Sequence, residues 1–168
     1  MGKVKKRWIA LYVENEVGVL AKVSGLFSAK AYNLQSLTVG RTEHDDISRM
    51  TISVESDDIT FEQIKKQLNR MVEVIKVVDL TDIPIHMKEL LFAKIKQIGF
   101  EEKAEAYQIA QTFGIQVIDH DRDCVILEST LTERRNDELC VLLRRTFKHI
   151  DIVRGGSVAI EGVSTSCR

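Results

Sequence analysis

Residues 8 to 14 alternate between large aliphatic positions, Ile9, Leu11 and Val13, on one face and Ala10 and Tyr12 on the other, a period of two that predicts a strand. From Val17 to about Lys30 the period lengthens, and Val19, Leu20, Val23, Leu26 and Phe27 fall on one helical stripe. The stretch YNLQSLTV returns to extended character. In ISRMTISVE, Met50, Ile52 and Val54 alternate with polar Thr51 and Ser53, so two strands are expected across the charged connection TEHDD. A second helix follows, with Phe61, Ile64, Leu68 and Met71 inward. Thr60 and Gln63 have the spacing of a capping box at its start. The β-branched VEVIKVVDL closes the unit as a strand.

The pattern then repeats. TDIPIH carries Pro84, the only proline, and is read as a linker over residues 82–87. Leu90 to Ile98 predicts a strand, and Glu101 to Phe113 a helix with Ala106, Ile109, Ala110 and Phe113 at helical spacing, stopped by Gly114. IQVID and CVILEST form a hairpin across HDRD. Leu131 to Arg145 predicts a helix with Leu139, Leu142 and Leu143 inward, and FKHIDIVRGG and SVAI finish the sheet. The order is β-α-β-β-α-β twice, an α+β class with two ferredoxin-like domains in tandem, residues 1–81 and 88–168. The halves share architecture and little residue-level identity. At about 80 residues each they lie near the lower range of independent stability, where pairing of sheets between halves or copies adds support.

Composition narrows the function classes. The chain is 44% hydrophobic and 29% charged, ordinary for a soluble globular protein, and its net charge of -1 steers it toward neither nucleic acid nor acidic lipid. No apolar run approaches the roughly 18 residues of a membrane span. The basic start MGKVKKRW reads as a solvated tail, because Glu14 interrupts any signal-type core. Cys124, Cys140 and Cys167 are too few and too widely spaced for a disulfide framework or a zinc site, and His44, His86, His120 and His149 are scattered, so a reducing, cytoplasmic setting is expected.

Catalytic chemistry is hard to find. G-x-S-x-G, Walker, H-E-x-x-H and C-x-x-C motifs are absent. DHDRD resembles the start of a calcium loop, but Cys124 and Thr130 stand where that loop needs glycine and glutamate, so a hairpin tip is expected and no metal. The Arg134–Arg135 and Arg144–Arg145 pairs share their helix with acids and read as a solvated face. The central strands carry Met50, Ile52 and Val54 where an RNA-binding sheet of this type carries stacking aromatics. No catalytic residue and no cofactor site is assigned.

The segment ENEVGVL, positions 14 to 20, places Asn15 and Gly18 where the first helix begins. One reading is structural, a special turn or close packing of strand on helix. The other is that Gly18 lets a ligand approach the backbone. A helix N-terminus has free N–H groups and a positive dipole end suited to a carboxylate, and Asn15 can both donate and accept. An α-amino acid needs both kinds of partner and a small apolar pocket, which Val17 and Leu20 could line. Asn33 comes after the same helix, before the second strand, and antiparallel packing of two copies could bring it against that loop by analogy, a placement not read from spacing.

The run VENEVGVLAKVSGLFSAKAYNLQSLTVG followed by SRMTISV resembles the regulatory (small) subunit of acetohydroxyacid synthase, also called acetolactate synthase, and the first half resembles an ACT domain. The resemblance covers roughly residues 8–80, and the second half fits by length and element order. It implies a homodimer through the ACT domains, side by side in one long sheet. It implies a branched-chain amino acid at the interface, typically valine, with leucine and isoleucine as the other candidates. The matching positions are Asn15, Val17, Gly18 and Leu20 on one chain and Asn33 and Leu34 on the other. It implies no reaction in this chain. The catalytic large subunit would be bound, activated and made sensitive to feedback inhibition, and thiamine diphosphate, Mg²⁺ and FAD would belong to that partner. One departure is Ala31, where the family usually has glycine. An amino-acid sensor acting on another enzyme or on transcription is the alternative, although a helix-turn-helix and basic face are missing. A small enzyme on this fold has no supporting constellation.

Overall fold

A computed structural model describes residues 3–163, so Cys167 lies outside the described residues. The chain divides into two compact units, Met1–His86 with Val158–Arg168, and Met87–Ser157.

The first unit contains β1 (Lys5–Glu14), α1 (Val19–Ala29), β2 (Asn33–Arg41), β3 (Ile47–Ser56), α2 (Asp58–Leu68) and β4 (Val74–Asp79). Its sheet has the order β2-β3-β1-β4, and each pairing is antiparallel. The predicted alternation holds: Ile9, Leu11, Val13, Met50, Ile52 and Val54 pack with Val19, Val23 and Phe27 of α1 and Phe61, Ile64 and Leu68 of α2. Burying each of the larger side chains stabilises the unit by roughly 1.5–3 kcal/mol. On the other face, Ala10, Thr51 and Ser53 are buried as well. Arg49 reaches the carbonyl of Ala159 there, and Gly162 N–H donates to the carbonyl of Pro84 at 2.8 Å.

Three expectations change in this unit. The basic start is not a free tail, because β1 begins at Lys5 and Arg7 is only 4% exposed. The Arg7 guanidinium lies over the Phe61 ring, 4.8 Å from its centroid, and pairs with Asp58, so the side chain is buried with its charge met. The second helix starts before Thr60: Asp57 is the N-cap, and its carboxylate accepts from Thr60 N–H at 2.7 Å. That bond holds the Asp57 carboxyl below its ordinary range. Leu20 is half exposed, so it does not join the core stripe.

The second set of elements is β5 (Ile85–Lys96), α3 (Phe100–Phe113), β6 (Gln116–His120), β7 (Cys124–Leu131), α4 (Glu133–Thr146) and β8 (Ile150–Glu161). Their sheet has the order β6-β7-β5-β8. Leu91, Ala93, Ile95, Val125 and Leu127 pack with Ala106, Ile109, Leu139, Leu143 and Phe147. Strand β5 starts at Ile85, inside the stretch read as a linker, and β8 runs unbroken through Gly155 and Gly156. Leu142 lies at the surface, and Asn136 and Cys140 take the inward positions beside Leu139 and Leu143. Gly114 ends α3 with φ 67°, the left-handed conformation expected of it. Of HDRD, His120 ends β6 and Asp121 to Asp123 connect it to β7, closed by Asp121 N–H to the Cys124 carbonyl at 2.8 Å. Among the described residues, no helix is long and apolar enough to cross a membrane.

Candidate functional site

The loop between β1 and α1 is fastened to the β2–β3 side of the sheet by one residue. Asn15 donates its backbone N–H to the Asp46 carbonyl and its side-chain Nδ2 to the Asp45 carbonyl, each at 2.8 Å. Its Oδ1 accepts from Ser48 Oγ at 2.9 Å. The amide thus keeps one N–H and one oxygen lone pair for another partner.

Past Asn15 the chain opens toward solvent. Val17 is fully exposed and Leu20 is 44% exposed, two apolar side chains flanking the start of α1. Gly18 is the N-cap, with φ 91° and ψ -12°. A side chain there would meet nothing within 4 Å, so close packing does not require glycine. The positive φ does, which supports the special-turn reading. The same geometry leaves open space over the helix start. No side chain caps α1, and its first turn carries no acid. The helix dipole places roughly half a positive charge at that end. One turn on, Lys22 pairs with Glu73, a bond that raises the lysine and lowers the carboxyl from their ordinary values. The lysine is therefore engaged by Glu73; at the helix start itself, Val19 N–H reaches the Glu16 carbonyl at 3.4 Å and no side chain caps the first turn.

The other two predicted residues lie elsewhere. Helix α1 ends through Lys30 and Ala31, with Tyr32 N–H donating to the Phe27 carbonyl at 3.0 Å, and β2 begins at Asn33. Asn33 stands opposite Glu55, which stands opposite Lys6. Asn15 lies nine residues farther along that direction (15 minus 6), about 30 Å at strand rise. Within one chain, Asn15, Val17, Gly18 and Leu20 come together, whereas Asn33 and the half-buried Leu34 sit at the far end of the same sheet. Strand β2 is the edge of its sheet, with β3 its only strand neighbour among the described residues. Ala31 adopts φ 52°, so the conformation that favours glycine is present without it.

Ser48 is the site residue that the sequence reasoning passed over. Its signal was available: it is a polar residue on the inward face of a strand whose next inward residues are Met50 and Ile52.

Known proteins share this architecture and are related in sequence. Residues 9–76 match the family profile described as AHAS small subunit-like ACT domain, and residues 88–163 match the one described as small subunit of acetolactate synthase. A probable acetolactate synthase small subunit from Archaeoglobus fulgidus is 40% identical over 155 residues, covering 92% of this chain and 96% of that one. The acetolactate synthase small subunit of Aquifex aeolicus is 38% identical over 159 residues, covering 95% and 82%. The crystal structure of the acetolactate synthase small subunit from Thermotoga maritima superposes with a TM-score of 0.85 at 32% identity, covering 94% of this chain and 98% of that one. With both halves matched in order and nearly the whole length covered, the chain belongs to the family of acetolactate synthase small subunits.

Proposed function

We propose that this chain is the regulatory subunit of acetolactate synthase, and that it binds a branched-chain amino acid, valine first, between the first units of two copies. The observation that carries the reading is the separation of the two groups of residues on a sheet in which β2 is the outer strand among the described residues. Antiparallel pairing of two β2 strands about their midpoint, Leu37, sets Asn33 of one copy opposite Arg41 of the other (33 plus 41 is twice 37). Arg41 stands opposite Ser48, the residue that holds Asn15. A two-fold axis there closes the 30 Å gap, and each dimer carries two sites.

The chemistry at such a site suits an amino-acid zwitterion. The carboxylate sits at the uncapped start of α1, where backbone N–H groups and the helix dipole favour an anion. The ammonium group meets the spare lone pair of Asn15 and the amide oxygen of the partner's Asn33. Val17, Leu20 and the partner's Leu34 enclose the aliphatic side chain. Thiamine diphosphate, Mg²⁺ and FAD belong to the catalytic large subunit, which this chain binds and activates. Valine inhibits by favouring the dimer arrangement that supports the large subunit less well, and only its differential affinity for the two arrangements does that work. A coupling of roughly 1–3 kcal/mol would change the affinity of this chain for the large subunit about 5- to 150-fold.

Isothermal titration of the purified protein with valine, leucine, isoleucine and lysine tests the reading, beside Asn15→Ala and Gly18→Asp. Valine should bind the parent and neither variant, and lysine should bind none. In reconstituted enzyme, both variants should lose feedback inhibition and keep most of the activation. Variants as valine-sensitive as the parent would remove the site assignment.

A further inference from the structure

Ser48 and Arg49 are neighbours in β3, so their side chains leave opposite faces of the sheet. Ser48 holds Asn15. Arg49 holds the other face: Nε donates to Tyr12 Oη at 3.2 Å, Nη1 donates to the Ala159 carbonyl, and Nη2 pairs with Glu161 at 3.4 Å. The guanidinium lies 5.5 Å from the centroid of the Tyr12 ring. The side chains of Arg49 and Glu161 are 15% and 22% exposed, so solvent and salt screen this charge pair less than a surface pair. Ala159 and Glu161 are the last part of β8, and they group with the first unit, while Ile150–Ser157 of the same strand groups with the second.

We infer that Arg49 is a positioning residue that passes occupancy of the Asn15 loop to the C-terminal end of β8. The inference rests on the reading of that loop as the effector site. The path is short and physical. Strand β1 pairs with β3 so that Val13 faces Ser48 and Tyr12 faces Arg49. On its other side the β1–β4 register shifts between Tyr12 and Val13, so the ladder has a bulge where the two faces meet. A bulge is where a strand bends and twists most readily. A ligand that draws on the Asn15 amide pulls at Ser48 and the end of β1. The next residues along, Tyr12 and Arg49, carry the bonds to Ala159 and Glu161. A strand spanning both units then takes the displacement into the second by chain continuity alone.

Amide hydrogen exchange on the full-length protein, with and without valine, tests this. In the parent, valine should change exchange of the amides at residues 159–162 by about threefold or more. Arg49→Lys and Glu161→Gln should bind valine within about threefold of the parent, yet lose that change. Both substitutions keep a hydrogen-bonding side chain, so a folded variant is expected. A change at 159–162 that persists in both variants would overturn the proposal, and so would its absence from a parent that binds valine. If the parent binds no branched-chain amino acid, the effector reading fails separately. A ligand-free cycle then decides: Asn15→Ala should speed exchange at 159–162 in the parent background and not in Arg49→Lys. Strictly additive effects would sink the coupling.

Discussion

Helices α1 and α3 occupy the same place in two copies of one topology, and their first turns are finished in opposite ways. Helix α3 starts after Gly99, whose N–H is taken by Glu102 Oε2 at 2.9 Å, and Glu101 and Glu102 neutralise the dipole. Helix α1 starts at a left-handed glycine with no cap and no acid. The second unit also satisfies its polar groups internally. Asn136 Nδ2 donates to the Glu89 carbonyl at 3.1 Å and to its carboxylate at 3.0 Å, and its Oδ1 accepts from Ser129 Oγ at 2.7 Å. Arg154 closes the network, with Nη2 2.7 Å from Glu89 and Nη1 2.6 Å from Asp137. Those bonds push the guanidinium still higher above its ordinary value, so it stays charged. One helix start is closed by its own chain and the other is left without a side-chain cap, the difference on which the proposed division into a support and a sensor rests.

The largest effect should come from breaking the closed unit. Asn136→Ala removes a fully buried amide, leaving the nearly buried Glu89 with one fewer donor and Ser129 without its acceptor. Stranding buried polar partners of a charged network costs about 3 kcal/mol. A denaturant midpoint that falls accordingly, with valine affinity unchanged, is the expected result. A near-neutral variant would mean that water replaces the amide and that the network is less closed than its distances imply.

The open helix makes a second, smaller contrast within itself. Gly18→Ala should cost about 1–2 kcal/mol, because an alanine at φ 91° is strained even in open space. Gly25 lies in the interior of α1 with nothing within 4 Å of a Cβ, and Gly25→Ala should gain about 0.5–1 kcal/mol. Opposite signs in one helix, measured by denaturant unfolding, would separate backbone conformation from packing. Equal signs would place Gly18 in the helix proper and remove the open turn.

These contrasts mark what could be read along the chain. The twofold β-α-β-β-α-β order followed from changes of period, and each hairpin from its polar break. The buried network has its own trace in the sequence. Glu89, Ser129 and Asn136 stand in apolar registers, beside Leu91, Leu127 and Leu139, and a polar residue in such a register demands partners. Asp57 displaced Thr60 as the cap because the preceding strand ends at Ser56, which only the fold establishes. The hold of Arg49 on Ala159 and Glu161 spans more than a hundred residues, beyond any local pattern. For the candidate site, residue types and the helix start were readable, whereas the 30 Å between Asn15 and Asn33 came from strand register alone.

The smallest predicted effect compares the other ends of the two helices. Gly114 closes α3 at φ 67° and Ala31 follows α1 at φ 52°, so one conformation is met by glycine in the second unit and by alanine in the first. Ala31→Gly should stabilise by about 0.5–1 kcal/mol, less whatever the unfolded chain gains in freedom, and Gly114→Ala should lose a similar amount. Denaturant midpoints check both signs. The functional half of the test is sharper, because Ala31 lies two residues before Asn33, at the start of the β2 edge. If Ala31→Gly gains stability and leaves valine affinity alone, the strain is simply tolerated and the α1–β2 turn is already placed as a glycine would place it. If affinity rises with stability, the alanine holds Asn33 away from its best position, and this chain is set to respond at higher effector concentration than a glycine-bearing relative. No gain in stability would mean that the turn rearranges around Ala31, and the register from which the two-fold site was built would have to be drawn again.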